Sequence, residues 1–118
     1  MSEIDLSPER YRHDLNIIRE TAQQVIRDFQ TASIEITFSG DPFRAYEELL
    51  EQLEPLVKTL SKEDPTRFSA LLYRIDVSEK DLRNIHTGPE RFRQIAELIL
   101  QREFKKVLIR HYFRQKEE

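Results

Sequence analysis

The chain has no cysteine and only two glycines in its 118 residues. Lack of cysteine excludes disulfides and thiolate metal sites. It also fits a reducing compartment, so the cytoplasm is the expected address. Two glycines are too few for a turn-rich all-β fold, and neither Gly40 nor Gly88 precedes a lysine in the spacing of a phosphate-binding loop. Long apolar runs are missing as well. Leu98-Ile99-Leu100 is among the longest, far short of the roughly 20 residues a membrane span requires. The opening stretch Met1-Ser2-Glu3-Ile4-Asp5-Leu6 is acidic and carries no apolar segment of the secretory type.

What the chain does have is charge, at 35% of residues, arranged around helical apolar spacing. A single all-α domain over 1–118 is expected, with about five helices and frayed tails at 1–6 and 114–118. Ser7-Pro8 is a good cap followed by a residue suited to the first helical turn. Tyr11, Leu15, Ile18, Ala22, Val25 and Phe29 follow at alternating steps of four and three, which predicts a helix to about Gln30. Asp41-Pro42 repeats the cap signal before Phe43, Tyr46, Leu49, Leu50, Leu53, Leu56, Val57 and Leu60, all expected on a buried face. Pro55 inside that pattern predicts a kink or break near Leu53-Glu54, with the chain continuing helically to about Leu60. Asp64-Pro65 opens a third helix with Phe68, Leu71, Leu72 and Ile75 inward. Ser78 caps a short fourth helix carrying Leu82 and Ile85, and Thr87-Gly88-Pro89 launches a last helix running to Phe113. Residues 33–39 differ: Ile34-Glu35-Ile36-Thr37-Phe38 alternates and is β-branched, so this segment reads as extended or strand-like. It has no partner strand in the chain and is expected either to lie across the helices or to pair with a second copy.

The last helix is both the most apolar and the most basic part. From Arg91 to Glu118 there are eight basic and four acidic residues, net +4, against eleven basic and eighteen acidic in residues 1–90, net −7. Such a split predicts internal or inter-subunit neutralisation, and an external polyanion is the sharper alternative. Arg102, Lys105, Lys106, Arg110 and Arg114 are the candidate polyanion contacts. Apolar residues point nearly all round this helix, more than four partner helices are expected to cover. Leu98, Leu100, Phe104, Leu108 and Tyr112 are therefore the candidate interface, with a homodimer as the favoured closed solution.

Signals for chemistry are weak. Glu47, Glu51 and Glu54 share a helix face opposite the leucines, where a solvated edge is expected. No Glu-x-x-His occurs, and Glu9 with His13 is a spacing common by chance. His13, His86 and His111 carry no nucleophile signature. His111 is expected near a helix C-terminus, where an imidazolium meets the dipole favourably. Catalytic, metal and cofactor residues are accordingly expected to be none. Residues 65–86 have helix-turn-helix spacing, but Asp76 stands where Gly is usual and Glu79 and Asp81 would face phosphates.

Ile36-Thr37-Phe38-Ser39-Gly40-Asp41-Pro42 with Ala45-Tyr46-Glu47-Glu48-Leu49, then Leu71-Leu72-Tyr73-Arg74-Ile75-Asp76-Val77-Ser78-Glu79, then Ala96-Glu97-Leu98-Ile99-Leu100-Gln101-Arg102-Glu103-Phe104-Lys105-Lys106-Val107, together resemble a family of short bacterial proteins. The resemblance implies a helical fold from about residue 34 onward. It implies no activity and carries over no catalytic or binding residue. The expected function is a non-enzymatic interaction or structural module that self-associates through its last helix. A protein partner is the next expectation. A nucleic-acid-associated protein, using the basic face or a degenerate helix-turn-helix, is the alternative.

Overall fold

A computed structural model describes residues 14–117, and for 115–117 the backbone alone. The expected cap at Ser7, the Glu9/His13 pair and the tail at 1–6 lie outside the described residues. Five helices occur among those described: α1 Leu15–Gln30, α2 Ala45–Glu63, α3 Pro65–Ile75, α4 Glu79–Arg83 and α5 Arg91–Glu117. The all-α expectation holds.

Helix α1 starts at Leu15, inside the single helix expected from Ser7-Pro8 to Gln30, because the Asp14 backbone is extended and its side chain accepts from the N–H groups of Asn16 and Ile17, supplying an acceptor that the first turn otherwise lacks. It ends at a residue with no stop signal of its own. Ser33 takes a left-handed conformation, φ 60°, and the Ile34 N–H donates back to Phe29 O at 3.0 Å. That is a Schellman closure without glycine. Helix α3 closes the same way. Asp76 has φ 75° and Val77 N donates to Leu72 O at 2.9 Å. In both cases the residue after the left-handed one turns inward and joins the core. At α3 the expected cap is present, with Asp64 accepting from Arg67 N at 3.2 Å. Ser78 and Asp81 form the reciprocal capping box of α4.

Helix α2 departs from expectation at its start. Its first helical residue is Ala45 rather than Pro42, because Asp41 instead caps a turn by accepting from Phe43 N at 3.0 Å. Phe43 and Tyr46 are consequently outside the buried face, at 83% and 55% exposure. Pro55 does not break the helix, which continues through it to Glu63. The proline lies on the exposed side, where water can satisfy the carbonyl that loses its donor.

No strand occurs among the described residues, so the strand-like reading of 33–39 is not confirmed within one chain. The alternation is real: Ile36 is buried and Ile34 and Phe38 are half-buried, while Glu35, Thr37 and Ser39 are exposed. Side chains of α2 take the place of a partner strand. Gln52 accepts from Thr37 N at 2.9 Å and its Nε2 donates to Thr37 O at 2.8 Å. Glu48 accepts from Ser39 N at 2.9 Å and from the Ser39 hydroxyl. Those two bonds hold the Glu48 carboxyl below its ordinary range.

Helix α5, at 27 residues, is about 40 Å long and spans most of the 46 Å long axis. It packs on α1, α2 and α3. Ile95, Ala96, Ile99 and Leu100 join the main core with Val25, Phe29, Leu53, Val57, Leu72 and Ile75. Removing a side chain of that size from water contributes roughly 1.5–3 kcal/mol. Farther along, Val107 and Leu108 form a second, smaller core with Ile17, backed by Phe104. The helix runs past Phe113 to Glu117, so His111 does not lie in its last turn. No helix among the described residues is long and apolar enough to cross a membrane.

Candidate functional site: a buried polar ladder between α1 and α5

Glu103 separates the two cores. On the buried seam of α5 it follows Ala96, Ile99 and Leu100 and precedes Val107, and it is 0% exposed. The other buried polar residues, Thr21, Gln24 and Asp28, all belong to α1. Helix α1 therefore buries two neighbouring stripes. One is apolar, Ala22, Val25 and Phe29; the other runs Ile17, Thr21, Gln24, Asp28 and is mostly polar.

Asp28 is the hub. Its Oδ1 accepts from Gln24 Nε2 at 3.1 Å and Arg74 Nε at 3.3 Å, and its Oδ2 accepts from Lys106 Nζ at 2.6 Å. Lys106 Nζ also reaches Arg74 O at 3.3 Å, tying α3 to the same point. One turn away, Gln24 Oε1 accepts from Arg110 at 2.8 Å and from Arg27 at 3.1 Å. A further turn on, Glu20 receives Arg114 at 2.8 Å. A cation at every fourth residue of α5 thus meets an acceptor at every fourth residue of antiparallel α1.

Glu103 faces this hub without a hydrogen-bond donor of its own. Both carboxyl oxygens are buried and accept no hydrogen bond. Lys106 Nζ stands 3.1 Å from Oε1, an approach that lacks hydrogen-bond alignment. Burial first, and the adjoining Asp28 carboxyl second, push the Glu103 pKa up to about 8. Burial alone would raise Asp28 too, but bonds from Glu103, Lys106 and Gln24 hold it below its ordinary value. For Lys106, burial works against the charge, and the Asp28 and Glu103 carboxyls outweigh it, raising the pKa. Glu103 is thus the carboxyl that keeps its proton near neutrality.

The five candidate polyanion contacts fall into two groups. Arg102 donates to Asp81 at 3.0 Å, and Lys106, Arg110 and Arg114 are the ladder rungs just described. Lys105 is exposed on the other side of the helix. Acceptors at 20, 24 and 28 share the period of the basic residues, a signal the sequence carries but that apolar spacing does not pick out. Among the candidate interface residues, Leu100 and Leu108 are buried within the chain, at 5% and 2% exposure. They are core, and only Leu98, Phe104 and Tyr112 keep partial exposure.

Two other features complete the surface. A shallow groove of about 310 Å³ lies between α4 and α5, lined by Asp81, Asn84, Ile85, Gln94, Glu97, Leu98 and Gln101. Helix α4 has five residues, about 7.5 Å of helix, so the helix-turn-helix spacing at 65–86 carries a very short second helix. Among the described residues no group of three or more His, Asp or Glu is placed to hold a metal ion. No protein-family model, curated protein or solved structure matches the chain.

Proposed function

We propose that this protein is a helical interaction module that self-associates through the outward side of α5. The observation carrying the reading is apolar surface left over after the internal core is filled. Leu98, Phe104, Ile109 and Tyr112 keep partial exposure, and Phe113 is 55% exposed against the edge of Tyr112, with ring centroids 5.3 Å apart. Leu98, Ile109 and Tyr112 recur at spacings of eleven and three, which places them along one side of a helix. Aromatic residues in such positions are the usual anchors of a protein interface. A second copy presenting the same strip gives a closed pairing and leaves no open end.

Sedimentation velocity of the full chain over a wide concentration range tests the reading. A dimer is expected, converted to monomer by the double substitution Tyr112→Glu and Phe113→Glu with helical circular dichroism retained. A wild-type protein that stays monomeric at the highest soluble concentration sinks the proposal.

A further inference from the structure

We propose that Asp28 and Glu103 hold one proton between them, and that this shared proton is the latch keeping the C-terminal half of α5 on α1. Geometry carries the argument. Both carboxyls are buried, at 2% and 0% exposure, and both reach the one Lys106 ammonium, at 2.6 Å and 3.1 Å, while neither Glu103 oxygen accepts a hydrogen bond. Two adjoining carboxylates in a dry seam repel each other, so one of them retains a proton and becomes the donor to the other. Glu103 is the donor. Asp28 already accepts from Gln24, Arg74 and Lys106, an environment suited to the anion.

Among the described residues, charged groups of the neighbouring elements are engaged as follows. Helix α1 supplies Asp28, with Arg27 held by Gln24. Helix α3 supplies Arg74, whose side chain is 55% exposed and well screened. Helix α5 supplies Lys106, which already serves Asp28, and Arg110, which is held by Gln24. The acid of α4, Asp81, is paired with Arg102, and Glu54 of α2 is paired with Arg93 nearly three turns away. Asp28 and Lys106 are the two charged groups that act on Glu103.

Loss of the proton to solvent base leaves two anions side by side and one ammonium to serve both. Hydrating that pair means lifting α5 away from α1 at Glu103. The division of the core predicts where the opening stops. Ile95, Ala96, Ile99 and Leu100 stay in the main core, whereas Val107 and Leu108 rest only on the small cluster with Ile17. Rising pH therefore loosens the second half of the helix and exposes that cluster. This end of α5 is also the one assigned to self-association, but the latch stands without that reading.

The test is carbon NMR of the full chain labelled at glutamate carboxyls, together with amide hydrogen exchange corrected for intrinsic rates. The Glu103 carboxyl is expected to titrate with a midpoint near 8 rather than near 4.5. For each unit of pH between 4.5 and about 8, amides from Phe104 to Tyr112 should lose about tenfold more protection than those from Ile95 to Leu100, with little further loss above that window. Glu103→Gln, which keeps a neutral donor toward Asp28, should abolish that difference. A Glu103 midpoint in the ordinary carboxylate range overturns the proposal, as does an equal loss of protection in both halves of α5. Both readouts come from the wild-type protein, so they decide the matter even if the variant does not fold. A self-association defect without these changes would count against the dimer alone.

Discussion

Lys106 Nζ lies 2.6 Å from Asp28 Oδ2 across a sequence separation of 78 residues. The contact joins the basic end of the chain to its acidic body. It explains how a chain with net charges of +4 and −7 on its two parts packs its basic helix α5 against α1. The carboxylate is nearly inaccessible, at 4% side-chain exposure, and the lysine is 29% exposed. A charge so placed is costly to leave without a partner.

Lys106→Met is therefore expected to destabilise the fold by about 3 kcal/mol, because Asp28 would keep its burial and lose its closest cation. The neighbouring Lys105→Met, on an exposed position, should change stability by less than about 0.5 kcal/mol. Urea unfolding of the two variants checks the contrast. Equal effects would show that the pair is not a structural contact.

Glu103→Gln should stabilise the protein, and more so at alkaline pH. The folded pKa of Glu103 is raised from 4.5 to about 8, so between those values the native state binds a proton that the unfolded state lacks. Its contribution is greatest at low pH, declines as pH rises through that window and is flat above it. The variant's advantage should be small near pH 4.5 and reach roughly 2–4 kcal/mol above pH 8. Asp28 acts in the opposite direction. Its folded pKa is depressed, so its stabilisation is present above 3.8 and is lost as pH falls through the lower folded value. Thermal melts across the range measure both arms. An advantage that does not vary with pH would contradict the assignment of the proton to Glu103.

Ser33→Gly and Asp76→Gly should each raise stability, by about 1 kcal/mol for serine and less for aspartate, which tolerates the left-handed region better. Both residues have positive φ and close different helices, so the double variant should be additive. Loss of stability in either variant would mean that the side chain, rather than the backbone turn, holds that helix end.

Gln52→Ala should free the segment at 34–39 while leaving the helices intact. The amide makes three bonds to Thr37, to its N–H, hydroxyl and carbonyl. The expected cost is about 1–2 kcal/mol, with faster hydrogen exchange confined to Thr37 and its neighbours. Exchange that rises equally in α2 would indicate a general loss of helix packing instead.

Helix number, the caps at Asp64 and Ser78, and most of the main core are legible in the sequence, because capping and apolar spacing are local properties of a few consecutive residues. Helix ends at Ser33 and Asp76 are obscured by non-glycine residues in a left-handed turn. Phe43 falls outside the expected buried face because Asp41 caps a turn and not the helix. The alternation at 34–38 is right about which side chains face inward and silent on what bonds the backbone. That outcome depends on Gln52 and Glu48 of a separate helix.

For the site the division is sharper. Sequence alone determined that the last helix is basic, apolar on several sides and in need of extensive cover. Only the tertiary structure decided that Lys106, Arg110 and Arg114 turn inward onto Asp28, Gln24 and Glu20, and that Leu100 and Leu108 are core. It also placed Glu103 in the buried seam, where its proton becomes part of the packing. The physical reason is one of range. Periodicity reports which residues of one helix share a face, but the partner of a charge and its distance from water depend on where another helix, distant in the chain, comes to rest.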